Sequence, residues 1–407
     1  MRIGIAVKLL ARLASGFGEA LIKAAPLCSE RARLPAAPPA AAKHATSAAT
    51  GGSLLVSDLR AKPLIQTFLR RALFGVAMLV GPSCVLMGQT NSASCIAEHY
   101  RVVPLPLRPA HINDARQVAG TTSSHRAALW SEQSGLRELP LPAGFYNSEG
   151  VDVNSSGHVT GVVYDRAFSQ HQAFTFANDK LTLLPGEQSR SYGISDSDQV
   201  AGESLVSGTA IPGTTISGTT IPGKTITGPV SWTNNTIRSL GGCCGGSARS
   251  VNKNGDVIGD VYDTAGRYQA FLWNASRGIQ PIGPPDGYSS AIAINAQGHV
   301  VVQAFPEVFL YAGRSLTRLD LSPRYPSQPR AINNCDVAVG SFGPFADAER
   351  AFIWEKSRGF RDLNTLIAPD SGWKLEAATS INDHGEIVGW GDHKGEDDTG
   401  FLLIPER

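Results

Sequence analysis

Val153-Asn154-Ser155-Ser156-Gly157-His158-Val159-Thr160-Gly161 decides the architecture, because versions of it return along the whole second part of the chain. The pattern is Ile or Val, Asn, two residues, Gly, one residue, Val, one residue, Gly. Copies start at Ile112, Val153, Ile194, Val251, Ile294, Ile332 and Ile381, with successive starts 41, 41, 57, 43, 38 and 49 residues apart. The leading apolar residue ends one strand, and Asn and Gly tolerate the positive φ of a tight turn. Val-x-Gly then begins the next strand. A Gly inside a strand marks close approach of another backbone, which predicts that the Val-x-Gly strands are the ones nearest a central axis. Repeats of this length made of short strands and turns are the signature of propeller blades.

Two further pieces complete each unit. One is an apolar-aromatic run, as in Ala127-Ala128-Leu129-Trp130, Ala173-Phe174-Thr175-Phe176, Ala270-Phe271-Leu272-Trp273 and Ala351-Phe352-Ile353-Trp354. Neighbouring residues on a strand point to opposite faces, so apolar residues in succession imply burial on both. A blade held between two other blades has that environment. The other piece is a Leu-x-x-Leu strand, as at Leu136–Leu139 and Leu181–Leu184. With the strand leading into Ile/Val-Asn, this gives four short strands per unit.

The seventh unit stops after Phe401-Leu402-Leu403-Ile404 and lacks a Leu-x-x-Leu strand, while Tyr100–Leu107 ahead of the first unit is unassigned. If that stretch fills the vacant place, the termini share one blade and the ring closes without free edges. Pro104 and Pro106 suit an edge strand there. The expected fold is therefore all-β: a propeller of seven blades, each of about four short antiparallel strands, closed by pairing of the N- and C-terminal strands. Several copies depart from the pattern. Arg116, Asp198 and Asp336 replace the turn Gly, Ser195 replaces Asn, Ala338 replaces Val and Val302 replaces the final Gly. An aromatic run still follows each of them, so the reading is tolerated drift with all seven blades kept.

The 407 residues carry 36 Lys and Arg against 35 Asp and Glu, a net charge of +1, which gives no basic stripe for a nucleic-acid partner. The 43 Gly and 25 Pro suit many strands joined by tight turns. The first part of the chain differs. Residues 1–69 read as a low-complexity leader, Ala- and Pro-rich from Leu34 to Ser53, with no strand or turn pattern. Residues 70–94 resemble a secretory signal: Arg70-Arg71, the apolar run Ala72–Val80, then small and polar residues up to Ala93. The apolar run is too short to span a membrane, so no integral span is expected in the mature protein. Because such a signal belongs at an N-terminus, translation is expected to start shortly before Arg70. No Met lies between Met1 and Met78, so the start would fall at a non-standard codon such as Val56, Leu64 or Leu69. Cys95 follows Ser92-Ala93-Ser94; Ser92 stands where a lipoprotein site has a branched apolar residue, so no lipid is expected on it. Residues 95–407 form the repeat domain, exported to an extracellular or periplasmic compartment.

The repeat domain resembles the HAF-repeat family of exported bacterial proteins, named for a His-Ala-Phe triplet. The likeness rests on the Ile-Asn-x-x-Gly-x-Val-x-Gly phrases, on Ala-Phe-Leu-Trp, and on Asp362-Leu363-Asn364-Thr365-Leu366-Ile367 with Ser371-Gly372-Trp373. Gln172, Gln269 and Arg350 stand where the His would be, with Ala-Phe kept after each. The resemblance implies an extracellular or periplasmic propeller-like domain and carries no catalytic residues with it.

The long third spacing holds a five-residue microrepeat, Ala210-Ile211-Pro212-Gly213-Thr214 and its successors, within an insertion at 207–229. It reads as slippage tolerated at a loop tip, with a contact arm for a partner or glycan as the sharper alternative. After export Cys95, Cys243, Cys244 and Cys335 would remain; their even number permits disulfides, and spacing does not assign them. Each is read by default as a small apolar filler.

No nucleophile elbow, phosphate loop or zinc-protease motif occurs, and no Cys or His cluster has metal-site spacing. No cofactor and no metal are expected. Asp114, Asp196 and Asp383 share one turn position, which turn hydrogen bonding explains. Glu203 and Asp260 each follow the phrase-final Gly in adjacent units, which brings both carboxylates toward the channel. Paired carboxylates can do glycosidic acid–base work or hold a cation, but no third group joins them. Asp392, Glu396, Asp397 and Asp398 read as a solvent-facing loop. The expected function is a monomeric, non-catalytic binding or cell-surface interaction module with an extracellular ligand, a glycan or a protein. The alternative is a secreted carbohydrate-active enzyme using Glu203 and Asp260.

Overall fold

The computed structural model describes residues 97–211, 214–216, 219–221, 224–242, 244–263, 266–285, 287–322, 324–344 and 348–406. The leader at 1–69 and the signal-like segment at 70–94 lie outside the described residues. Seven four-stranded antiparallel sheets follow one another along the chain as blades 1 to 7. Blade 1 runs in the order Arg108–Ile112, Val118–Thr121, Ala127–Ser131 and Gly135–Glu138, and the others repeat it. Blade 7 takes its fourth strand from the other end of the chain. His99–Leu105 pairs antiparallel with Glu396–Glu406, from His99 opposite Glu406 to Leu105 opposite Gly400. That strand is outermost in its sheet, where Pro104 leaves no ladder hydrogen bond unmade.

One expectation is corrected. The strands nearest the axis are those that end in Ile/Val-Asn: they touch the equivalent strands of both neighbouring blades all the way round. Val-x-Gly begins the second strand, one place further out. The glycine is crowded for a different reason. Every innermost strand carries a bulge shortly before the phrase, such as that between Gly150 and Asp152, and the phrase-final position lies opposite it. A Cβ at Gly161 would stand 2.0 Å from the Glu149 carbonyl oxygen and 2.6 Å from the Phe174 ring. Blade 5 keeps the bulge with Val302 in that place.

The core consists of seven apolar clusters, one in each seam between blades. The consecutive apolar residues of the third strand are divided between two seams. In blade 4, Phe271 and Trp273 pack toward blade 3, while Ala270 packs toward blade 5. In blade 6, Phe352 and Trp354 face blade 5, and Ala351 and Ile353 face blade 7.

The asparagines join the seams in a way the sequence pattern does not announce. In each Asn-bearing turn the side-chain oxygen accepts N–H groups from its own turn: Asn154 Oδ1 accepts from Ser156 at 3.1 Å and from His158 at 3.0 Å. Its Nδ2 reaches forward and donates to the backbone carbonyl of the equivalent residue in the next blade. Asn113 donates to Asn154 (2.8 Å), Asn154 to Ser195 (3.0 Å), Asn252 to Asn295 (3.2 Å) and Asn295 to Asn333 (3.1 Å). Asn333 donates to Asn382 (3.1 Å) and Asn382 returns to Asn113 (3.1 Å). All six asparagines are buried. The ring of bonds has one gap, between blades 3 and 4, where Ser195 is too short to span the seam. Asp114, Asp196 and Asp383 add a second tie: each accepts the backbone N–H of the preceding blade's turn, as Asp383 N donates to Asp114 Oδ1 at 2.8 Å.

The three exceptions at the turn Gly form a pattern. Positive φ falls on this position in all seven turns, including Arg116, Asp198 and Asp336 at +56°, +59° and +58°. Each of these three pairs with an oppositely charged or imidazole partner of the preceding blade: Arg116 with Glu386, Asp198 with His158 and Asp336 with His299. A strained backbone residue is thus retained where its side chain clasps a neighbour.

Removing residues 97–107 leaves blade 7 with three strands and exposes the edge at Glu396–Glu406. The shortened protein is expected to aggregate or to melt at least about 10 °C lower in a thermal scan, since an exposed edge and a lost seam act together.

Candidate functional site

Antiparallel succession puts the starts of all innermost strands on one face of the ring, the front. The loops between second and third strands, and those between blades, open on the same face. The Asn turns lie on the back. Among the described residues six large apolar side chains are markedly exposed: Leu136, Tyr146, Phe168, Tyr268, Tyr288 and Phe305. All except Leu136 sit on front-face loops or at strand ends there. Phe168 is 61% exposed and Phe305 70%. The aromatics form two groups. On blade 2, Tyr164 lies 5.5 Å from Phe168 and 6.2 Å from His171, and the Arg166 guanidinium sits 5.3 Å from the Tyr146 ring. On blades 4 and 5, Tyr268 lies 6.3 Å from Tyr262 and 5.0 Å from Tyr288. Between them the second and third strands of blade 3 run on as a ribbon, still paired at Ile211 and Lys224. The inserted microrepeat therefore rises from the front face.

At the channel mouth between these groups lies a polar chain. Tyr164 donates to Glu149 Oε2 at 3.0 Å and accepts from Arg190 at 2.9 Å. Glu203, predicted to face the channel, accepts from Tyr192 Oη at 3.0 Å and from Ser247 Oγ at 2.7 Å. Asp260 Oδ1 accepts from Arg249 at 2.5 Å and from Ser290 Oγ at 2.6 Å. The structure brings Glu203 and Asp260 into one network, since Ser247 is both Glu203's donor and Asp260's cross-strand partner. Three of these bonds cross seams: Arg190 to Tyr164, Ser247 to Glu203 and Ser290 to Asp260. The Ser247–Glu203 bond ties blade 3 to blade 4, the seam the asparagine ring leaves open. Burial, with Glu149 beside it, pushes the Tyr164 phenol up to about 12; burial and Glu203 raise Tyr192 as well. Both tyrosines therefore act as neutral donors at neutral pH.

The remaining sequence candidates are spread out. Glu396, Asp397 and Asp398 are exposed and Asp392 half-buried, with Asp398 3.3 Å from Arg108. Among the described residues no group of three His, Cys, Asp or Glu is placed to hold a metal, and no helix is long and apolar enough to cross a membrane. Cys335 is disulfide-bonded, which replaces the filler role expected of it. Clefts open on the back face. One of about 630 Å³ between blades 7 and 1 is lined by Arg116, Glu132 and Glu386. One of about 300 Å³ between blades 2 and 3 is lined by His158, Asp198 and Trp232. The charged groups of both clefts are already paired across a seam or within it.

The sequence reading missed the aromatic groups and the arginines of the innermost strands. A signal for the latter existed: Tyr192, Arg249 and Arg330 each stand two residues before a repeat phrase, where the other blades have Ala110, Val151, Ile292 and Thr379.

No family model matches this chain, and no curated protein matches it. Solved propellers resemble it in shape. The propeller domain of the Trilobed protease from Pyrococcus furiosus has TM-score 0.49 at 7% identity, over 76% of this chain and 95% of that one. Virginiamycin B lyase from Staphylococcus aureus has TM-score 0.47 at 11% identity, over 75% and 100%. A gluconolactonase from Xanthomonas campestris has TM-score 0.38 at 9% identity, over 75% and 89%. Likeness at these identities concerns the fold and carries nothing about what this chain binds.

One ion pair near the back of the channel should be visible in solution. His111 Nδ1 lies 2.8 Å from Asp152 Oδ1, across the seam between blades 1 and 2. Burial works against the imidazolium, and the Asp152 charge and hydrogen bond more than offset it, so the His111 pKa lies above its ordinary value. A raised folded-state pKa stabilises below the unfolded value of about 6.5, and the contribution is lost as pH rises through the folded value. The melting difference between wild type and His111→Gln is therefore expected to be fully present near pH 5.5 and to shrink as pH rises above the ordinary histidine range. A difference that does not change between acid and alkaline pH would remove His111 from the account.

Proposed function

We propose that the protein is an exported, non-catalytic binding module of the HAF-repeat type that takes its ligand on the front face. The observation that carries this reading is the one-sided placement of exposed aromatic rings. Tyrosine and phenylalanine offer large contact area at small entropic cost and dominate recognition surfaces. Here they flank a channel mouth lined with hydrogen-bonding side chains, on a ring whose back is filled by seam-spanning turns. The Cys335 disulfide supports export, since disulfides persist in oxidising compartments. The enzymatic alternative needs Glu203 and Asp260 free for proton transfer. Both already accept two hydrogen bonds, one of which, for each, crosses a seam to the next blade.

The test is a screen of the exported chain against glycans and surface proteins, run beside glycosidase and lyase assays. Binding is expected without turnover. Replacing Tyr268 and Tyr288 together by Ala should weaken it about tenfold or more, as loss of two stacking anchors does, whereas Glu203→Gln should leave any ligand bound. Turnover abolished by Glu203→Gln would instead establish the enzyme.

A further inference from the structure

Arg330 lies in the middle of the innermost strand of blade 6, Ser327–Ile332, and its side chain is exposed. A residue there has a blade on either side and a paired strand outward, so solvent reaches it only along the central channel. The other arginines of the channel wall are engaged. Arg249 holds Asp260 and Arg190 holds the Tyr164 hydroxyl. Arg330 makes no hydrogen bond, ion pair or ring contact among the described residues. Its five N–H donors, arranged as a planar fork, are unused among the described residues.

Both a carboxylate, Glu349, and a second guanidinium, Arg108, act on Arg330 at this sector. The enclosing channel wall strips part of its water and lowers the Arg330 pKa; the Glu349 carboxylate opposes that, and the smaller effect of the like charge of Arg108 adds to it. Arg108, on the innermost strand of blade 1 and nearer the front face, is anchored over the Trp390 ring at 4.5 Å, with the exposed Asp398 as its counter-charge among the described residues. Blade 7 lies between the two arginines. It contributes neutral Thr379 and Ala377 there, and its Glu376 is already paired with Lys374 at 2.6 Å. Two guanidinium groups on this part of the channel wall, one of them without a hydrogen-bond partner among the described residues, form a receptor for an oxyanion. A carboxylate matches the fork best, because it accepts two parallel N–H bonds in one plane.

We propose that Arg330, with Arg108 nearer the mouth, binds a carboxylate inside the channel, so that the ligand of the front face is an acidic one. This deepens the binding-module reading and rests on it only for the word ligand; the anion site itself is measurable alone.

The experiment is titration calorimetry of the full chain with glucuronate, glucose, acetate and inorganic phosphate. Glucuronate is expected to bind and glucose to give no heat. Arg330→Gln should weaken glucuronate about tenfold or more, and Arg330→Lys less, since a point charge keeps the attraction and loses the fork. Acetate displacing glucuronate in an Arg330-dependent way would assign the site to the carboxylate itself; acetate failing to do so would assign it to the acidic sugar. Stronger binding of phosphate than of either carboxylate would overturn the carboxylate assignment. Equal affinity in wild type and Arg330→Gln, equal binding of glucose, or no anion binding at about 10 mM would overturn the site, the last being weaker than any useful recognition. A matching melting temperature for Arg330→Gln excludes misfolding as the cause of a loss. Replacing Tyr268 and Tyr288 by Ala should leave glucuronate binding intact, so failure of the aromatic face and failure of the anion site give different results.

Discussion

An asparagine amide that reaches across a buried seam to the backbone carbonyl of the next turn is the bond on which the ring depends. The apolar clusters bring neighbouring blades together, but packing is non-directional. It does not by itself set the rotation between one sheet and the next. The amide sets it, because one side chain satisfies its own turn through the oxygen and its neighbour's through the nitrogen. Each bond contributes about 0.5–1.5 kcal/mol net, while stripping the donor and leaving the buried carbonyl unpaired costs about 1–3 kcal/mol. Repetition around a closed circuit turns that modest term into a geometric requirement, since every blade angle must agree with the others.

The same division of labour explains where function can sit. The back face is committed: its turns hold the asparagine bonds, the aspartate ties and the three charged clasps of Arg116, Asp198 and Asp336. The front face carries seam bonds nearer its core, such as Ala127 N to Ser148 Oγ and Ala270 N to Ser289 Oγ. At the channel mouth Glu203 ties the seam the asparagine ring leaves open, while Asp260 adds a tie between blades 4 and 5. Loops there vary in length and carry the exposed rings and the blade 3 ribbon. A rigid ring with one fastened face and one variable face is a scaffold for presentation.

Much of this was legible in the sequence, and the reasons for success and failure are physical. The blade count, the four strands per blade and the shared terminal blade follow from a repeat whose period matches the structural unit. The order of strands from the axis was misread because glycine reports crowding without reporting its source. The crowding at Gly161 comes from a bulge in the adjacent strand, and bulges have no signature in a single copy. The asparagine was read for its turn; its second bond runs to another unit about 40 residues away. Arg116, Asp198 and Asp336 read as drift singly, and only the fold places Glu386, His158 and His299 beside them. The aromatic face was hidden because its members come from loops that are not part of the repeat.

The central claim is tested most directly by moving the one gap in the asparagine ring and measuring the thermal midpoint by calorimetry. Asn295→Ser copies into blade 5 what blade 3 has naturally, and Ser195→Asn completes the circuit. The account predicts that the first lowers the midpoint by about 2–6 °C and that the second raises it, in line with one buried hydrogen bond lost or gained. An unchanged midpoint in Asn295→Ser would contradict it, and the blade angles would then be set by apolar packing and the other seam contacts.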